Sequence, residues 1–222
     1  MLTINKLVLP SPEQWEIIIE GMRNAMNSWD KIDSYPFGLN PNGSRAFMLG
    51  ENDHSLMERL AKSGSDHRKY MRMTPIWVTV TAPLYWWKEY DTYKVGTVAN
   101  SCSTMHKIHA NAFTINDFSY DHLLGESMDD LRRTIDRLNY WRDVYLNGSS
   151  ILPPKSKTAW WQLIQLLPSS YNQKRTLLLN YEVLRNIYRA RRNHKLDEWH
   201  TFCDFIETLP YSELITGEES ES

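Results

Sequence analysis

Asn180, Leu184, Ile187 and Arg191 are spaced so that a helix would set them on one stripe. An amide and a guanidinium at the two ends of an otherwise apolar stripe are costly to bury without partners. On a helix they would stand roughly 16 Å apart, a span that a ligand the length of a dinucleotide could bridge. Arg is also the side chain best suited to fork onto phosphate or carboxylate. The same spacing equally allows Arg191 to lie at a frayed helix end and pair with Asp197 or Glu198. Arg185, Arg189 and Arg192 fall on a separate face. A solvated basic surface is the simpler reading of that face, and a nucleic-acid patch the lesser one. Cys102 and His106 carry the residue types of a thiol nucleophile and its base, although a loop cysteine near a surface histidine accounts for them as well. A Gly-rich phosphate loop, a His-x-x-x-His zinc pair and a Gly-x-Ser-x-Gly elbow are all missing from the sequence.

The elements that must position these residues are legible in outline. Met1 to Pro10 reads as a first strand. Ser11-Pro12 opens a helix, because Ser caps and Pro is tolerated at the first helical position, and Trp15, Ile18, Ile19 and Met22 form its apolar stripe. Pro36, Gly38, Pro41, Gly43 and Gly50 make residues 33 to 50 a loop. A helix near Asp53 to Lys62 turns Leu56, Met57 and Leu60 inward and stops at Gly64. Ile76 to Thr81 has the β-branched content of a strand. Ala82-Pro83 ends it, and a helix through Trp86, Trp87 and Tyr90 follows. Asp91 to Lys107 is polar and irregular, as a loop lining a site would be. A long helix from Ser127 or Asp130 to about Asn147 buries Leu131, Ile135, Leu138 and Tyr145, with Asp129 and Arg133 as an outer i,i+4 pair. Helices are expected from Thr158 to Leu167-Pro168, over Arg175 to Asn193, and over Asp197 to Leu209. Strands and helices do not alternate. The fold class is therefore α+β, mostly helical with a small antiparallel or mixed sheet.

The bulk numbers narrow the function. At 222 residues the chain suits one domain, read as 1–216, with 217–222 as an acidic disordered tail. A formal net charge of −2 offers no global basic field, so nucleic-acid binding is not expected. Cys102 and Cys203 form no disulfide framework and no metal spacing, which fits a reducing, cytoplasmic setting. No apolar run reaches the ~18 residues of a membrane span. Nine Trp and twelve Tyr serve a core or a flat-ring pocket equally well.

Several of these segments, over about residues 53 to 195, resemble the flavin-dependent thymidylate synthases. That family carries a Gly-His-Glu segment, a strand ending in Ala-Pro, a helix, and the motif Arg-His-Arg-x-x-Ser-x-Asn-Glu-x-Ser-x-Arg. Further on it carries Leu-Pro, then an Asn, then an Arg. Here His67 precedes Ala82-Pro83 at the family's distance, and Leu167-Pro168, Asn180 and Arg191 keep the later spacing. In the motif stretch two registers fit. Without a gap, Lys94 replaces the second Arg and Thr97 the Ser. With one residue inserted, Asn100 and Ser103 match the Asn and the second Ser.

The resemblance implies methylation of dUMP to dTMP, with methylenetetrahydrofolate as carbon donor, reduced FAD as hydride donor and NADPH as reductant, in a homotetramer. It implies that His67, Lys94, Thr97, Asn100 and Asn180 lie near FAD, and that Glu89, Ser101, Ser103 and Arg191 lie near the nucleotide. No side chain is assigned a catalytic or metal-binding role, since the cofactor would supply the chemistry. The chain departs from the motif at its first Arg (Thr92 or Tyr93), its Glu (Asn100 or Ser101), its last Arg (Thr104 or Met105) and the Arg before Leu-Pro (Ile164). Each lost charge-assisted bond is worth ~1.5–3 kcal/mol. Lys88, Lys94 and Lys107 could compensate only as point charges. The alternative expectation is a relative that keeps the scaffold and binds flavin or nucleotide with another substrate or no thymidylate activity.

Overall fold

Ser11 begins the first helix as its residue type demands. Its hydroxyl accepts the Gln14 amide at 3.3 Å, and the Gln14 side chain accepts the Ser11 amide at 2.8 Å, a reciprocal capping box. The computed structural model describes residues 1–38 and 45–217. Pro41 and Gly43 of the expected loop, and all but the first residue of the expected acidic tail, lie outside the described residues.

In chain order the elements are β1 (Thr3–Val8), α1 (Pro12–Asn24), β2 (Tyr35–Phe37), β3 (Ala46–Met48), α2 (Glu51–Lys62), β4 (Pro75–Pro83) and α3 (Leu84–Tyr90). They continue with β5 (Val98–Ser101), α4 (Glu126–Asn147), α5 (Lys157–Leu166), β6 (Asn172–Asn180), α6 (Tyr181–Arg191), α7 (Asp197–Glu207) and α8 (Glu213–Thr216). The larger sheet has the order β1-β4-β6-β5, and β2 and β3 pair antiparallel. With about 48% helix and a small antiparallel sheet, the chain is α+β. Strand β4 shows the two-residue period of a half-buried strand, with Ile76, Val78, Val80 and Ala82 all buried.

The chain divides into two compact units. One comprises Met1–Ile4, Val80–Thr92 and Asn100–Arg175, and the other Asn5–Thr79, Tyr93–Ala99 and the chain from Thr176 onward. In the first, α4 packs on α5 over a core of Ile108, Phe113, Phe118, Leu131, Ile135, Leu138 and Leu163. Trp86, Trp87 and Tyr90 form a buried aromatic group on α3 of the same unit. In the second, α6 packs on α7 and α8, and burial is anchored by Trp15, Tyr181, Leu184, Trp199 and Phe202. Two buried ion pairs, Arg23–Asp53 at 2.7 Å and Arg68–Glu182 at 2.8 Å, belong to this second unit.

Five expectations are corrected. Residues 33–50 are not all loop, because Tyr35–Phe37 and Ala46–Met48 pair as β2 and β3. Residues 175–180 are strand, not helix: Leu177 and Leu179 enter the core alternately, and Asn180 then caps α6. The apolar stripe therefore starts from a cap, and the helix holds only Arg191 of the two polar ends. The stretch 91–107 contains strand β5 in place of unbroken loop. On α4 the outer pairs are Asp129–Arg132 and Asp130–Arg133, one residue closer than expected, because i,i+3 neighbours also share a helix face. Arg185 is fully buried instead of solvated, its Nη1 donating to the Leu214 and Ile215 carbonyls at 2.7 and 3.1 Å.

Candidate functional site

Helix α6 begins where Asn180 satisfies one of the amides that a helix start leaves unpaired. Its Oδ1 accepts the Val183 amide at 3.0 Å. Its Nδ2 donates to the Gly96 carbonyl at 3.3 Å, so one side chain caps the helix and ties down the segment 93–97. Gly96 permits this approach. It has φ +75°, and a Cβ there would lie 3.1 Å from the Asn180 Nδ2. Within the segment the Thr97 hydroxyl donates to the Tyr93 carbonyl at 2.6 Å.

The other end of the segment is fixed at the far end of α6. Arg191 donates through Nε to the Tyr93 hydroxyl at 2.9 Å. Its guanidinium lies 4.9 Å from the centre of the Trp199 ring and 5.6 Å from that of Tyr93. Two ring faces and a hydrogen bond hold the cation in one orientation while it stays partly exposed. Tyr93–Ala99 thus forms a strap along α6, pinned by the two polar residues that the sequence spacing had singled out.

His67 lies in an exposed turn of the same unit. Its neighbour Arg68 is buried, with Nε on Glu182 in the first turn of α6 and Nη1 on the Ala61 carbonyl at 3.4 Å. Lys94 is exposed on the strap, and neither its ammonium nor the His67 ring makes a hydrogen bond or ion pair among the described residues.

Glu89, Asn100, Ser101 and Ser103 belong to the other unit. Asn100 and Ser101 are exposed on β5, and their side chains have no hydrogen-bond partner among the described residues. The next residue, Cys102, is fastened to β6 through its amide to the Lys174 carbonyl at 2.9 Å, while its own carbonyl accepts Gln173 Nε2 at 3.0 Å. Ser103 Oγ accepts the His106 backbone amide at 2.8 Å, and no hydrogen bond joins the His106 ring to the Cys102 thiol among the described residues. Glu89 is half-buried near the end of α3, where its carbonyl accepts the Thr92 hydroxyl at 2.8 Å. Beyond it, Asp91 meets Arg175 of β6 at 2.7 Å, and that guanidinium lies 4.2 Å from the centre of the Trp87 ring.

The structure thus gathers Lys94, Thr97, Asn180 and Arg191 in one unit, with His67 in a separate turn of it, and Asn100, Ser101 and Ser103 along β5 and beyond it in the other. Sequence reasoning missed Tyr93, Gly96, Trp199, Arg68 and Arg175. A glycine following Lys94-Val95 was the one local signal for the tight strap. The uncommitted groups are amide, hydroxyl, imidazole and ammonium, which bind and orient anions, ring edges and sugar hydroxyls. Within each unit taken by itself, such groups are of the kind that hold the phosphates and ring edges of a nucleotide-type cofactor. No group of three or more His, Cys, Asp or Glu among the described residues could hold a metal ion. No helix among them is long and apolar enough to cross a membrane.

No family model matches the sequence, and no curated protein matches it. The fold does have solved counterparts. A structure of the flavin-dependent thymidylate synthase ThyX from Helicobacter pylori, complexed with FAD and dUMP, superposes with a TM-score of 0.61 at 12% identity, covering 99% of each chain. A second structure of Helicobacter pylori ThyX with FAD and dUMP gives 0.61 at 14% identity, covering 96% of this chain and 94% of the other. The likeness spans both units and establishes the fold.

Proposed function

We propose that this chain is a flavin-dependent thymidylate synthase that methylates dUMP, or a closely related pyrimidine nucleotide, in a homotetramer. The observation that carries the reading is the whole-chain likeness to ThyX structures holding FAD and dUMP, at a TM-score of 0.61. The donor set supports it, because the side chains left uncommitted bind and orient, and none is paired as nucleophile and base. By the resemblance, His67, Lys94, Thr97, Asn100 and Asn180 would serve FAD, and Glu89, Ser101, Ser103 and Arg191 the nucleotide. FAD, once reduced by NADPH, would supply the hydride that completes the methyl group, and methylenetetrahydrofolate its carbon.

One observation favours a second reading, a relative that binds flavin or nucleotide but uses another substrate. Between Thr92 and Thr104 the only cation is Lys94, and Arg191 is already engaged by Tyr93 and Trp199. A visible absorption spectrum of the purified full chain, before and after FAD is added, separates these from an unrelated function. Flavin bands that co-elute with the protein are expected; a colourless protein in excess FAD overturns the synthase reading and leaves only a relative that binds nucleotide without flavin. Tritium release from 5-labelled dUMP is then expected for the synthase, and its absence from a flavin-loaded protein selects the second reading.

A further inference from the structure

The turn after β5 and the far half of α4, both in the first unit, gather positive charge. The turn Lys107–Ala110 is closed by the Ala110 amide on the Lys107 carbonyl at 3.0 Å. Arg142 of α4 grips it, with Nε on the His109 carbonyl at 2.9 Å and Nη2 on the Ala110 carbonyl at 3.4 Å. The His109 ring packs on Tyr145, one turn further along α4, with ring centres 4.7 Å apart. The Tyr145 carbonyl in turn accepts the Lys155 amide at 2.6 Å. This bond holds Lys155 at φ +60°, a left-handed conformation rare for lysine and of the kind that concentrates at functional sites. The loop leading to it is tightly built, since a Cβ on Gly148 would stand 2.9 Å from the Pro154 ring.

Arg142 thus meets the backbone of His109 directly, and the charges of Lys107 and Lys155 bear on the same imidazole. The nearby carboxylate of α4, Asp143, is occupied by the Asn147 amide at 2.6 Å. The His109 Nδ1 is buried and has no hydrogen-bond partner among the described residues. Burial, then Lys107, Arg142 and Lys155 in turn, push the imidazole pKa down. Like charges held together without a counter-charge destabilise a fold unless an anion relieves them.

We propose that Lys107, His109, Arg142 and Lys155 form a binding site for a small, multiply charged anion of the diphosphate class. The guanidinium, oriented by two carbonyls, provides a fixed fork. The two ammonium groups act as point charges beside it, and the imidazole gains a proton as the anion arrives.

The test is a titration of the full chain with inorganic pyrophosphate at constant ionic strength, following the His109 ring signals by NMR. A saturable shift is expected, accompanied by a rise in the His109 pKa. The variant Lys107→Gln with Lys155→Gly should bind about tenfold more weakly. Glycine accepts the positive φ at 155, so this variant keeps the loop geometry, and circular dichroism should show native helix. Saturation by pyrophosphate alone identifies a free diphosphate, saturation by dUMP as well identifies a nucleotide phosphate, and either supports the site. A shift reproduced by sodium chloride, or an unchanged titration in the folded double variant, overturns it.

Discussion

The strap along α6 and the exposed strand β5 are continuous in sequence, yet they use their polar groups in opposite ways. On the strap and the helix beneath it, Asn180, Thr97, Tyr93 and Arg191 spend their side-chain hydrogen bonds on one another or on nearby backbone. On β5, Asn100 and Ser101 face outward and spend none on the described residues. A polar group that is already satisfied contributes to stability, whereas one left open is available to a ligand. Residue type alone does not separate the two uses. Asn180 and Asn100 were both read as cofactor contacts, and only Asn100 has an uncommitted amide.

The contrast is most strongly tested at the base of α6. Glu182→Ala removes the carboxylate that Arg68 Nε meets in a buried ion pair, and should cost about 3–5 kcal/mol. Urea denaturation should show this as a lower midpoint. A midpoint within error of the parent would mean that the first turn of α6 is not held by this pair. Asn180→Ala removes the helix cap and the tie to Gly96 together, with an expected loss of about 1–2 kcal/mol. If the amide instead serves mainly as a flavin contact, stability will hardly change and FAD affinity will fall. Tyr93→Phe keeps the ring beside Arg191 and deletes only the hydroxyl, so a loss of about 1 kcal/mol is expected. A larger effect on dUMP binding than on the urea midpoint would move Arg191 from the committed group to the open one.

At three places where the sequence carried a local rule, its reading agrees with the structure. Ser11-Pro12 caps α1, the β-branched content of 76–81 makes β4, and the apolar period over 131–138 makes the inner face of α4. The expected α+β class follows from those elements. The failures at Arg185 and over residues 175–180 share one cause, contacts distant in sequence. Arg185 looked solvated because helix periodicity counts residue types, while its partners are carbonyls of α8 about thirty residues on. Arg175 to Asn180 looked helical because three leucines and a good cap fit either period, and pairing within the sheet decided for strand. The polar character of 91–107 was legible as a possible site, but the meeting of Tyr93 with Arg191 and Trp199 spans about a hundred residues and leaves no local trace.

The smallest effect on stability should come from the open side of the comparison, and it is the most informative about function. The double variant Asn100→Ala, Ser101→Ala removes two exposed side chains that make no hydrogen bond, so the urea midpoint should stay within about 0.5 kcal/mol of the parent. Ligand binding should respond quite differently. If β5 presents its amide and hydroxyl to FAD or dUMP, deleting both should weaken one of those ligands at least fivefold, about 1 kcal/mol. Equilibrium dialysis of the parent and the variant against each ligand measures this directly. Unchanged affinity for both ligands, in a parent that binds them, would make β5 a bare edge and shift the site to the strap, with Lys94 as its remaining open group. Loss of stability without loss of binding would instead show that the exposed strand is packed in solution, as it would be against another copy of the chain.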